Sequence, residues 1–117
     1  IFKEAVWKEL NEYSTKMNQG NQSKHIRGSH NFDSSRSELT MDPQELYNLY
    51  SGKSYFLSTN AGEWNKKERF IHTSAIGIYR DKYTGKEMLT NAGIIHYSKK
   101  KGWHIVPAQP LKGDIDK

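Results

Sequence analysis

The stretch NAGIIHYSKKKGWHIVPAQP, residues 91–110, reads as two strands joined by a short turn. Successive side chains of a strand point to opposite faces, so His96 and Ser98 share one side of GIIHYS while Ile95 and Tyr97 share the other. One face is reactive and one packs. The connection SKKKGW from 98 to 103 contains Gly102, which can take the positive φ that hairpin turns use. The return strand WHIVP carries His104, whose facing depends on register. Pairing His96 with His104 brings the two together, whereas pairing His96 with Ile105 points His104 away, because a one-residue slip flips every side chain. Both registers are compatible with the sequence.

Upstream, SYFLST, RFIHT, AIGIYR and EMLT are further short strand-like runs between turn-rich spacers. DKYTGK, residues 81–86, reads as a second hairpin connection around Gly85. Short spacers imply antiparallel neighbours. Before Gly52 the period changes. Phe2, Val6, Leu10, Tyr13 and Met17 recur every three or four residues and predict a helix over residues 1–17. NQGNQ, from Asn18 to Gln22, is expected to stop it. Residues 18–41 lack a period and read as a long, functional connection. Asp42 then fits an N-cap, Pro43 the first helical position and Glu45 a capping box, predicting a second helix over 42–51 with Leu46, Leu49 and Tyr50 facing the core. Helices followed by a sheet over 54–110 make an α+β fold: N-terminal helices on an antiparallel sheet, in one domain spanning residues 1–117.

Composition fits that picture. Hydrophobic residues make up 34% of the 117 and mean hydropathy is −0.92, yet 12% are aromatic, enough for a small core. Lys and Arg outnumber Asp and Glu by 18 to 13, with an isoelectric point near 9.4, which favours an anionic partner. Cysteine is absent, excluding disulfides, a thiolate-bound zinc and a cysteine nucleophile. Neither a membrane span nor a signal peptide is visible in the sequence. A chain starting at Ile1 rather than Met is expected to be the C-terminal part of a larger protein, whose export route lies in the remainder.

Four of the five histidines fall in two segments: SKHIRGSHNF, residues 23–32, and the 91–110 stretch. Imidazoles can give and take protons near neutral pH while cations hold a phosphate, so the two segments suit phosphodiester chemistry. His25, His30, His96 and His104 are all candidates for the acid and base, and the residues by themselves give them nearly equal weight, His30 with the least support. Arg36 could bind a phosphate bidentately, and Lys99 could clamp one from the hairpin tip. The ordinary alternatives are a hydrogen-bonded surface histidine for His25, a half-buried core histidine for His96, and a solvated turn for each lysine. His72, in RFIHT, reads as structural or substrate-facing. No HExxH, cysteine pair or acidic triplet appears, so no metal or other cofactor is expected.

Three ordered blocks, NQGNQSKHIRGSHNF, RSELTMDPQEL and GIIHYSKKKGWHIVPAQP, resemble the polymorphic toxin type 50 domain. That domain occurs at the C-termini of bacterial polymorphic toxins and of phage head-morphogenesis proteins. It is grouped with the barnase, EndoU, colicin and RelE superfamily of metal-independent ribonucleases. The resemblance runs from about Asn18 to Pro110. A KHIxG block falls on Lys24, His25, Ile26 and Gly28, and an HYSKxGxHIVP block on His96 to Pro107. The hairpin carries one more residue between Ser98 and His104 than that pattern, and Ser29 keeps a hydroxyl where threonine is usual.

The resemblance implies a four- or five-stranded antiparallel sheet with RNA, tRNA among the candidates, bound across it. His25, His96, Ser98, Arg36, Lys99 and His104 are expected to carry catalysis, with His25 and His96 as the leading acid–base pair in either direction, and Lys24, Ser29, Thr40, Lys100 and Tyr97 to contact substrate. An effector delivered into a target-cell cytoplasm is implied, with an acidic cognate immunity protein as partner and no membrane contact. The rival is a non-catalytic nucleic-acid-binding or assembly module of a phage structural protein. A metal-dependent DNase is disfavoured, because the chain lacks the clustered acidic residues its metal site would need.

Overall fold

The computed structural model describes residues 2–110. Ile1, at the head of the expected first helix, and residues 111–117, at the end of the expected domain, lie outside the described residues. Three helices and seven strands follow in order: α1 (Phe2–Leu10), α2 (Gln19–Ser23), β1 (Glu38–Leu39), α3 (Pro43–Tyr50), β2 (Tyr55–Ser58), β3 (Trp64–Ile71), β4 (Gly77–Arg80), β5 (Glu87–Thr90), β6 (Ala92–His96) and β7 (His104–Pro107). Among the described residues these strands pair antiparallel, in a four-stranded sheet ordered β2-β3-β6-β7 and a three-stranded one ordered β1-β4-β5. The α+β expectation holds. The expected strands divide between two sheets rather than one, and β1 is an addition. Among the described residues no helix is long and apolar enough to cross a membrane.

The larger sheet has a packed face and an open face, set by strand alternation. Glu68 and Phe70 of β3, Ile95 of β6 and Ile105 of β7 point into the core, where they meet Leu46, Phe56, Trp64 and Trp103. Tyr47 stacks on Trp103 at 4.2 Å and Tyr50 on Phe70 at 4.6 Å, so α3 docks through aromatic rings. Leu49, expected inside, is 47% exposed, because Leu46, Tyr47 and Tyr50 already turn the buried stripe inward. Asp42 caps α3, its side chain accepting from the Gln44 N–H at 3.2 Å.

Two expectations for the N-terminal third need correction. The first helix ends at Leu10, not Met17, because the hairpin turn captures the chain that follows it. Ser14 N–H donates to the Lys99 carbonyl, Asn18 N–H to the Trp103 carbonyl, and Trp103 N–H to the Lys16 carbonyl. Met17 and Trp103 thereby form an isolated parallel bridge. Gly102 makes this contact possible: its φ is 91°, and a Cβ there would lie 2.1 Å from the Lys16 carbonyl oxygen. Tyr13 and Met17 still pack against the core, so their apolar spacing marked burial rather than helix. NQGNQ does not terminate a helix either; it starts one. Asn18 is the N-cap of α2, its side-chain oxygen accepting from the Asn21 N–H at 3.1 Å.

Candidate functional site

β7 is an edge strand, and an edge leaves backbone groups in need of partners. One residue supplies both. The Gln22 side-chain amide donates to the Ile105 carbonyl at 2.9 Å and accepts from the Ile105 N–H at 2.7 Å. Gln22 is 1% exposed, so this is a buried clamp of α2 onto β7. Three residues later the chain reaches His25, whose carbonyl accepts from the Leu39 N–H at 2.7 Å, tying the same segment to β1.

That docking sets His25 against the open face of the sheet. His96 and His104 are direct partners across β6 and β7, so they share that face, with ring centroids 4.8 Å apart and planes within 19°. The His25 ring stacks beyond His104 at 6.2 Å and 15°. His25, His104 and His96 thus stand in one row. At its far end Lys67 of β3 is the cross-strand partner of His96. At its near end His25 borders a cleft of about 370 Å³, lined also by Ser35, Arg36, Ser37, Arg80, Lys82 and Asp33. Arg36 donates to Asp33 at 3.0 Å, while Arg80 donates to Glu87 at 2.9 Å and to the Arg36 carbonyl. The carboxyl of Asp33 is pulled down to about 2, first by hydrogen bonds from Ser35 and then by Arg36.

His25 Nδ1 lies 2.8 Å from the Ser37 carbonyl oxygen. A carbonyl only accepts, so Nδ1 carries the hydrogen, and in the neutral ring Nε2 is left with a lone pair. Burial depresses all three rings. His96 is held at about 3 by lost solvation, and further by His104, Lys67 and His25. His104 is held at about 4 by lost solvation, then by His25, Lys24 and Arg36. His25 is lowered by burial, against the Ser37 carbonyl that favours its protonated form.

These values carry a stability prediction. The unfolded chain takes up protons on these rings below about pH 6.5, whereas folded His104 and His96 do not until the pH approaches 4 and then 3. The native state binds fewer protons in that window. Stability from this source is therefore complete above about pH 6.5 and falls as the pH drops towards 4, by up to about 1.4 kcal/mol per pH unit for each ring. Urea midpoints measured from neutral pH down to about 4.5 test this, and a constant midpoint would refute it.

The other expected residues fall elsewhere. Tyr97 points into the core, where its hydroxyl lies 2.6 Å from Glu68 and 2.7 Å from Ser51; burial, and then the Glu68 charge, raises it. Ser98 holds the hairpin turn, its hydroxyl accepting from the Lys101 N–H at 3.2 Å. Lys99 and Lys100 are exposed at the tip, and Lys99 lies on the α1 side, where its charge helps to lower Glu9. Ser29 donates to the Ser23 carbonyl and Thr40 to the Ile76 carbonyl, each holding its loop. Lys24 is close enough to lower both His25 and His104. His72 pairs with the Tyr50 hydroxyl at 2.6 Å, and His30 is exposed.

Sequence reasoning passed over Gln22, Lys67, Arg80 and Lys82. Arg80 and Lys82 had a readable signal, since RDKYTGK interleaves cations with an aromatic ring. Gln22 and Lys67 had none, as both depend on which residue faces them across a strand. Replacing Gln22 with Ala is expected to cost about 2 kcal/mol, because it leaves the buried Ile105 N–H and carbonyl unpaired. It would also loosen His25 relative to His104. Urea unfolding checks the first effect, and an unchanged free energy would show that the clamp does not hold α2.

Among the described residues no group of three or more His, Cys, Asp or Glu side chains could hold a metal ion. No match is found among curated proteins. A family model described as bacterial toxin 50 matches residues 17–107, a span that begins at the Met17 bridge and ends with β7, enclosing the whole histidine row. By that match, which covers most of its length, the chain belongs to the bacterial toxin 50 family.

Proposed function

We propose that this toxin domain is a metal-independent endoribonuclease that cleaves RNA by internal attack of the ribose 2′-hydroxyl. The observation that carries the reading is the row His25–His104–His96 on an open sheet face, with Lys67 at one end and the Arg36, Arg80 and Lys82 cleft at the other. His25, with Nδ1–H committed to Ser37, is suited to take the 2′ proton on Nε2. The 2′ oxygen then attacks the adjacent phosphorus and the bond from phosphorus to the 5′ oxygen breaks. His96, supported by its stacked neighbour His104, returns a proton to that oxygen. The products are a 2′,3′-cyclic phosphate and a 5′-hydroxyl.

A row with such depressed protonation has little proton to give at neutral pH by itself. A bound phosphate changes this, because an anion against the imidazoles favours their charged forms and offsets Lys67 and Arg36. Arg36 would then stabilise the extra charge of the five-coordinate phosphorus. In this reading Ser98 and Tyr97 support the hairpin and core rather than touch substrate. The domain would be delivered into a rival cell, where cytoplasmic RNA, tRNA included, is the substrate. The producing cell would need an immunity protein, acidic where it covers the cleft.

Incubating the 117-residue chain with total RNA and with DNA tests the reading. Cleavage of RNA that persists in EDTA, leaves 2′,3′-cyclic ends and spares DNA is expected. Intact RNA, or DNA cut as readily, would overturn it. Binding without any cleavage would favour the assembly-module alternative.

A further inference from the structure

The hairpin between β4 and β5 is closed by hydrogen bonds within its turn, and it carries a ring the core does not use. Tyr83 is 85% exposed, the most exposed large hydrophobic side chain among the described residues. The backbone that carries it is fixed by the turn beneath. The Asp81 carboxylate accepts from the Tyr83 N–H at 2.8 Å and the Thr84 N–H at 3.0 Å. Asp81 N–H donates to the Lys86 carbonyl, and Gly85 N–H to the Asp81 carbonyl. The ring is also one side chain away from the histidine cleft: Lys82 Nζ sits 5.0 Å from the Tyr83 ring centroid, and Lys82 lines the cleft beside His25. Arg80, at the base of the same hairpin, is mostly buried and held by Glu87 and the Arg36 carbonyl.

We infer that this hairpin is an arm that grips an unpaired nucleotide next to the scissile bond, so that the substrate class is single-stranded RNA such as a loop or tail. Arg80 and Lys82 hold the phosphate flanking the one under attack, and Tyr83 stacks on the base attached to it. An exposed ring beside a cation is an arrangement by which proteins bind single strands without reading sequence, since every base offers a π face. A base inside a duplex is stacked on its neighbours and is not offered to the ring. The inference rests on the ribonuclease reading for its substrate, but binding can be measured without cleavage.

The probe is a fluorescent RNA oligonucleotide whose 2′-hydroxyls are methylated, so that it cannot be cut, used alone and annealed to its complement. Anisotropy with the full chain is expected to show tighter binding of the single strand. Tyr83→Ala should weaken that binding about tenfold or more, whereas Tyr83→Phe, which keeps the ring, should bind like the original. Lys82→Ala should lower the slope of log affinity against log salt by about 0.7, the contribution of one phosphate contact on a single strand. Tyr83 makes no core contact, so folding is not at stake. Unchanged single-strand affinity in Tyr83→Ala, or a preference for the duplex, would overturn the arm. If the oligonucleotide binds as expected while unmodified RNA stays intact, the arm stands and the ribonuclease reading falls. If RNA is cleaved while Tyr83→Ala binds normally, only the arm falls.

Discussion

A His96→Ala variant is expected to cleave RNA about a thousandfold more slowly than the original chain, the usual size of a lost general acid or base. His96 sits in the middle of the open sheet face, paired with Lys67 on one side and stacked on His104 on the other. Its removal takes away one end of the imidazole row while leaving the packed face, with Ile95 and Tyr97, untouched. The circular dichroism spectrum should therefore be preserved. The variant has a second signature unrelated to activity. A ring held at about 3 destabilises the folded state in mild acid, so its loss should make the protein more resistant to unfolding near pH 5. Cleavage within threefold of the original, in a folded variant, would remove His96 from the chemistry, on a scale where true acid–base residues are worth roughly a hundredfold or more.

Glu68→Ala is expected to cost about 4 kcal/mol of stability, a large share of the 5–15 kcal/mol typical of a domain. Glu68 is fully buried, and its carboxylate accepts three hydrogen bonds: from the Gly52 N–H at 2.9 Å, the Ser54 N–H at 2.7 Å and the Tyr97 hydroxyl at 2.6 Å. Alanine leaves those donors without a partner in the core, and each orphaned donor costs about 1–3 kcal/mol. Through these bonds Glu68 joins the turn after α3 to β3 and β6, and its neighbour Lys67 points to the opposite face beside His96. Packing and site are thus set by adjacent residues of one strand. Urea unfolding gives the magnitude, and a loss below about 1 kcal/mol would show that water or a side-chain shift satisfies the donors.

Much of the fold was legible because its signals are local. The Asp42–Pro43 start of α3, the glycine turns at Gly85 and Gly102, and the alternation of Ile95, His96 and Tyr97 depend on residues close in the chain. The N-terminal third was misread for the complementary reason. The spacing of Tyr13 and Met17 does fit a helix, but hydrogen bonds to Lys99 and Trp103, far along the chain, offered the backbone a different set of partners. A bridge of this kind overrides the propensity of a short segment, because helix formation by so few residues is marginal without tertiary support.

The candidate site divides along the same line. Composition and the two histidine blocks by themselves determined that imidazoles and cations would be available, that cysteine chemistry was excluded, and that His96 would lie on the face away from Ile95 and Tyr97. Only the tertiary structure decided that His104 joins His96, that His25 stacks beyond it, and that Arg80 and Lys82 share a cleft with Arg36. Each of those juxtapositions depends on register or on how a sheet edge is closed. A slip of one residue between β6 and β7 would send His104 to the other face, and without the Gln22 amide on Ile105 the segment that carries His25 would lose its tie to β7. Those choices are fixed by partners distant in sequence, which is why local patterns could supply the reactive groups but not their arrangement.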